Sequence, residues 1–274
     1  MRRKAMVGAG VFAVLAVLFG VLDLEISKAF VNPDDPVART LEVLGECTTP
    51  VLGMLSLAML FLTPPSASRT GQVWLRVGAF LGAAGLAAYL FLTLPGYFGA
   101  SFFAPAALLG GAAVAGMVFL LCSRIPREWR EKYLYVAAVC AVTILVGLAL
   151  VEVLKALFGR VRFREMAEPY GEFTRWFVPK GYTGSKSFPS GHTAHAASLF
   201  GLLAFCDYPQ HRGKERVLTL CFFLWTLLMA VYRVRIGAHF ASDVLFGGTL
   251  MFVIATAVRA KLRPRWQARR ERWL

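Results

Sequence analysis

Two histidines mark where this chain could do chemistry. His192 closes the run Pro189-Ser190-Gly191-His192, and His239 precedes Asp243 by four residues. Positions four apart share one face of a helix, so the Asp243 carboxylate can hold one nitrogen of the His239 ring while the other points at an electrophile. His239 is thus a candidate nucleophile. His192, approaching from the opposite side, can protonate the leaving oxygen, a task suited to a group that titrates near neutral pH.

Three cations indicate the electrophile. Lys155, Arg162 and Arg233 stand at the ends of apolar runs, where a full positive charge demands an anion, and the forked donors of arginine match phosphate oxygens. Ser190 and Gly191 add backbone N–H groups at a helix start, an anion cradle that Gly191 lets a ligand approach closely. The set suits attack on phosphorus to give a phosphohistidine, which water then releases.

In order along the chain these pieces are Lys155, six residues, Arg162; Pro189-Ser190-Gly191-His192; and Arg233, five residues, His239, three residues, Asp243. Together they resemble the three-part signature of the type 2 phosphatidic acid phosphatase superfamily, which includes lipid phosphate phosphatases and relatives of glucose-6-phosphatase. The resemblance covers Lys155 to Asp243. It implies that His239 is the nucleophile, oriented by Asp243, and that His192 is the acid. Lys155, Arg162, Ser190, Gly191 and Arg233 would grip phosphate, with no metal and no cofactor. Each motif alone is weak, whereas three in order with the right internal spacings are specific. The chain departs from the pattern at Phe163, where the family usually has proline, and at Tyr232, where it usually has serine. The first change loosens a loop and the second keeps a hydroxyl at greater reach. Neither removes a charge or the nucleophile.

The elements that must position these residues are membrane spans. Of the 274 residues, 57% are hydrophobic and 17% charged, and the mean hydropathy is +0.59, far from the balance of a water-soluble domain. A bilayer core about 30 Å thick needs roughly 20 apolar residues in helix. Eight runs approach that length: Met6 to Leu24, Val43 to Leu62, Val77 to Leu94, Ser101 to Cys122, Leu134 to Leu154, His192 to Cys206, Val217 to Tyr232 and Phe240 to Val258. The second is weakened by Glu42, Glu46 and Pro50, and the sixth is short. The first follows "MRRK" but is longer than a signal-peptide core and lacks a good cleavage site, so it reads as an anchor. The expected fold is therefore all-α, a polytopic helical membrane bundle of about eight spans. The resemblance implies a six-span core with additional helices among the first four. Residues 1–274 read as one integral membrane domain, with 155–188 as an extracytoplasmic loop over the site.

A net charge of +14 would raise nucleic acid as a partner in a soluble protein. Here most of the 30 Lys and Arg fall in the segments that are cytoplasmic if the amino terminus is, which places both termini in the cytoplasm and the three motifs on the outer face of the plasma or inner membrane. No nucleic-acid partner is expected; membrane lipids and a lipid phosphate are. The basic tail would lie on anionic headgroups with Trp266 and Trp273 as interfacial anchors. The five cysteines match no metal or disulfide spacing and read as small core residues. Pairs such as Gly78 and Gly82 or Ala112 and Gly116 would let helices approach.

Around the motifs, Arg160 and Arg164 read as solvating the loop, with contact to a second phosphate of a diphosphate as the alternative. Lys155 could merely pair with Glu152, His195 reads as a core residue, and His211 as surface. The function read from the sequence is hydrolysis of a lipid phosphate or diphosphate. A lipid phosphotransferase would use the same site. A transporter of anionic lipid would need the cations but not two histidines and an acid. A haloperoxidase is disfavoured because the enzymes of that kind with this site are soluble.

Overall fold

The computed structural model describes the backbone of residues 2–65, 68–101 and 103–271 and the side chains of 6–65, 68–101 and 103–268. Trp273, an expected anchor, lies outside them. The chain is 80% helical, with no strand among the described residues. Among the described residues eight α-helices follow in order: α1 Arg2–Phe30, α2 Pro36–Leu62, α3 Arg69–Thr93, α4 Ala104–Ser123, α5 Arg127–Phe158, α6 Gly191–Ala197, α7 Glu215–Arg235 and α8 Ala241–Glu271. All but α6 belong to segments long and apolar enough to cross a membrane, seven in all among the described residues. This is a polytopic helical membrane protein.

The sixth apolar run differs from expectation. It divides into the short α6 and a 3-10 helix, Ser198–Asp207, and is not one spanning α-helix. At the junction of the two its residues are small and tightly buried, with Ala194, Ala196, Ala197 and Ser198 all inaccessible, so neighbours dictate its path more than length does. At the rise of α and 3-10 turns its seventeen residues still reach about 30 Å.

The second run, doubtful for its charges, is a continuous helix with Pro50 inside. Its acids are buried and paired: Glu42 with Arg233, and Glu46 with the hydroxyls of Tyr89 and Tyr97.

Two compact units emerge from the chain. The first comprises Met1–Gly45, Val146–Ala197 and Phe223–Phe252. In it, α1 turns Val7, Val11, Val14, Val17 and Val21 outward, while Ala16, Gly20, Asp23 and Ser27 are buried. That i, i+4, i+7, i+11 spacing is a single helix face. Exposed valines on the opposite face suit lipid, which offers no penalty to apolar surface.

The second unit comprises Glu46–Leu145, Ser198–Phe222 and Val253–Leu274. Here α3 and α4 pack through Ala83, Ala87, Ala115 and Phe119. Their closest approach is at Gly111, where a Cβ would lie 2.6 Å from the Ala84 carbonyl oxygen and 2.7 Å from the Ala88 nitrogen. The small-residue seam therefore runs one position away from Ala112 and Gly116. A Cβ at Gly116 or Gly78 would meet nothing within 4 Å. Arg259 bridges Asp207 and Glu215, and Arg263 also reaches Asp207. Trp266 stacks on Tyr135, with ring centroids 5.1 Å apart. It is thus packed within the unit, not a free interfacial anchor. Cys122, Cys140 and Cys206 are buried as expected, whereas Cys221 is exposed.

Candidate active site

The last turn of α5 carries Lys155, and the loop that follows carries Arg162. Gly159 ends the helix with φ +49, and a side chain there would strike the backbone of Gly181. The returning loop caps the helix: the N–H groups of Lys180 and Gly181 donate to the carbonyls of Phe158 and Leu157 at 3.2 and 2.9 Å. Trp176 pins the loop further, donating from Nε1 to the Ala16 carbonyl at 2.9 Å and packing on Phe246 at 4.4 Å. The segment over the site is thus held to α1 and α8.

The three motifs converge within the first unit. A Cβ on Gly191 would lie 3.0 Å from Lys155 Nζ, so the absence of a side chain in the Ser190-Gly191-His192 turn leaves room for the ammonium. Lys155 is also 2.6 Å from Glu152. The local pair and the site placement hold together. The Ser190 N–H donates to the Asp243 carbonyl at 3.0 Å, and the Arg164 N–H to the Gly237 carbonyl at 2.9 Å, tying the second and first motifs to the third. Ser190 Oγ lies 3.0 Å from Thr193 Oγ1 at the start of α6.

His239 is 3% exposed. Its Nδ1 lies 2.6 Å from the Ser187 carbonyl oxygen. A carbonyl only accepts, so Nδ1 carries the proton and Nε2 holds the lone pair. This corrects the expected direct contact with Asp243, whose Oδ2 is 3.9 Å from Nδ1. Asp243 acts one step further out. Its Oδ2 accepts from Ser187 Oγ at 2.6 Å and from the Phe240 N–H at 2.8 Å, fixing both the residue that holds the imidazole and the first turn of α8. Burial, with the nearby charges of Arg233, Arg162 and His192, holds the His239 pKa well below the usual histidine range.

Arg160, expected to solvate the loop, is 2% exposed and is engaged by protein groups on every side-chain nitrogen. Its Nη1 donates to Asp243 Oδ1 at 2.5 Å and Ser242 Oγ at 2.9 Å, its Nη2 to Asp23 Oδ2 at 2.9 Å, and its Nε to the Thr174 carbonyl at 2.8 Å. Phe240 lies under the guanidinium at 4.0 Å. Removing one member of so buried a network costs on the order of 3–5 kcal/mol, because the remaining charges are left uncompensated.

Arg233 also has a partner that the sequence reading missed. Glu42 accepts from its Nη1 at 2.5 Å and stands 3.6 Å from Arg164 Nη1. Arg162 is held by Glu165 at 2.8 Å, while its Nε is buried without a hydrogen-bond partner among the described residues. His192 is half-buried beside His195, whose own burial agrees with a core role. The two departures from the expected motif are packing residues: Phe163 stacks on Tyr170 and meets Phe240 edge-on, and Tyr232 packs against Ala38, Ile236 and Ala238.

Asp23 and Glu42 were legible only in part, and Ser187 not at all. An acid was visible within an apolar run at Asp23 and just before one at Glu42, and buried acids in spans are costly unless they serve a purpose. Nothing in the sequence paired them with particular arginines.

A site of two imidazoles, one neutral and buried, ringed by lysine and arginines at a helix start, defines a phosphate-handling class of membrane protein. The chain belongs to the PAP2 superfamily, the type 2 phosphatidic acid phosphatases, whose family profile matches residues 132–267. It is 32% identical over 136 residues to a lipid A 1-phosphatase of Rhizobium etli, a match covering 48% of this chain and 50% of that protein. It is 36% identical over 81 residues to phosphatidylglycerophosphatase B of Haemophilus influenzae, covering 29% and 34%. With phosphatidylglycerophosphatase B of Bacillus subtilis it shares 29% identity over 93 residues, covering 32% and 46%. The chain thus spans half or less of the length of these relatives. No solved structure matches it significantly.

Proposed function

We propose that this protein hydrolyses a lipid monophosphate or diphosphate through a phosphohistidine on His239. The observation that carries this reading is the fixed tautomer of His239: its proton is committed to the Ser187 carbonyl, which leaves Nε2 free to attack among the cations that hold phosphate. Attack forms the N–P bond as the bond from phosphorus to the lipid oxygen breaks, and His192 delivers its proton to that oxygen. His192 then takes a proton from water as the water oxygen displaces His239, and phosphate leaves. Lys155, Arg162, Arg233 and the Ser190-Gly191 turn stabilise charge on the phosphoryl oxygens, the largest contribution in such reactions. Burial keeps Nε2 unprotonated at neutral pH, so the nucleophile needs no separate base.

The names of the relatives put phosphatidylglycerophosphate and lipid A bearing a 1-phosphate first among the lipids to be tried, with phosphatidate and polyprenyl diphosphate beside them. Purified protein in detergent should release inorganic phosphate from at least one, His239→Ala should lower turnover by at least about 10³-fold, and chelator should leave the rate unchanged. Turnover by His239→Ala at the native rate would refute the nucleophile. Labelled phosphate appearing on an added lipid alcohol would identify a phosphotransferase, and lipid movement without cleavage a transporter.

The bias of basic residues supports an orientation in the inner or plasma membrane with both termini cytoplasmic and the loop from Lys155 to Phe188 outside.

A further inference from the structure

We infer that Asp23, on the first helix and outside the residues matched by the family, is a positioning residue of the active site, acting on His239 through Arg160, Asp243 and Ser187. The inference rests on the proposed phosphatase reading.

Asp23 is fully buried within a span, where an acid is retained only with a partner. Each of its oxygens has one. Oδ1 accepts from the Ser242 N–H at 2.9 Å, an N–H of the first turn of α8 that has no acceptor within the helix. Oδ2 accepts from Arg160 Nη2 at 2.9 Å and from the Ser242 hydroxyl. Arg160 spends its other donors on Asp243, Ser242 and Thr174. Asp243 in turn holds Ser187 Oγ, and the Ser187 carbonyl holds His239 Nδ1. An unbroken chain of contacts shorter than 3.0 Å thus runs from α1 to the nucleophile.

The charges explain why two acids face one arginine. With Asp243 alone, Arg160 would form a neutral pair. Asp23 leaves one carboxylate charge in excess beside an imidazole whose neighbours include Arg162, Arg233 and His192, Arg233 being paired with Glu42. Positive charge gathers on the His239 ring as its N–P bond forms, and the excess carboxylate stabilises it. Asp23 also divides the pull on Arg160, so Asp243 keeps its contacts with Ser187 and Phe240 instead of collapsing into a closed ion pair.

The test is steady-state kinetics on the full chain in detergent, with Asp23→Asn and Asp23→Glu compared across pH. Asp23→Asn should lower kcat by about 10- to 100-fold with KM changed less than about threefold, the pattern of an interaction felt mainly in the transition state. Its acid limb should move down by about half a unit or more, since the site has lost a negative charge. Asp23→Glu should restore part of kcat and the native limb. If Asp23→Asn does not fold, Asp23→Ser, which drops the same charge in a smaller side chain that can still bond Ser242, should show the same fall in kcat and the same shift of the limb. Native kcat and pH profile in either charge-free variant, with His239→Ala inactive, would overturn the role of Asp23 while leaving the phosphatase reading intact. Absence of phosphate release by the wild type from every lipid would instead overturn the reading beneath it.

Discussion

Burial among cations keeps the His239 ring neutral, and two pH effects follow. Catalysis requires the lone pair on Nε2, so the acid limb of kcat/KM should lie below about pH 6.5, the ordinary histidine value. Removing a neighbouring cation should raise it: Arg162→Gln is expected to move the limb upward, whatever it does to KM. Stability depends on pH in the same direction. Below about pH 6.5 the unfolded chain takes a proton on this ring that the folded site refuses, so folding weakens as pH falls from there toward the depressed native value and is unaffected above about pH 6.5. A thermal melt in detergent at pH 5 and pH 8 checks this, with His239→Gln expected to flatten the difference. At this scale the sequence disclosed the groups on which the proposed chemistry rests: His192, His239, Asp243, Lys155, Arg162 and Arg233. It concealed Ser187, because the atom that holds His239 is a main-chain carbonyl, and any residue type supplies one. It also hid the pairing of Arg233 with Glu42, which joins positions 191 residues apart.

Among the elements, the loop between α5 and α6 is fastened at named points. Trp176→Ala deletes the bond to Ala16 and the packing on Phe246. The loss should be about 2–3 kcal/mol, less than for a fully buried tryptophan, with faster proteolysis between residues 159 and 190. In the other unit, Gly111→Ala places a methyl against the Ala84 and Ala88 backbone and should lower the melting temperature through an overpacking cost of about 1–3 kcal/mol. Gly116→Ala, one turn on with open space around it, should be silent by comparison. The spans themselves were readable because apolar runs of the right length have few alternatives. Their registers were not, since helix faces differing by one residue have nearly the same composition. The sixth run misled for the same reason: its apolar content records burial, and burial here is met by a short helix and a tighter turn.

For the molecule as a whole, charge asymmetry predicts topology. With Cys221 replaced by Ser, Tyr182→Cys, at a highly exposed position, should react with an impermeant maleimide in intact cells, and Arg212→Cys only after permeabilisation. The reverse pattern would invert the proposed orientation.

The carboxylate on α1 also bears on where a catalytic domain should be said to begin. Residues 132–267 hold every histidine, lysine and arginine of the signature, and a comparison of sequences would draw the boundary there. A fragment cut at that boundary would keep all the named chemistry and lose the counter-charge at position 23 together with Glu42. We expect it to be inert even if it inserts into a bilayer, and to regain turnover when residues 1–62 are supplied as a separate chain.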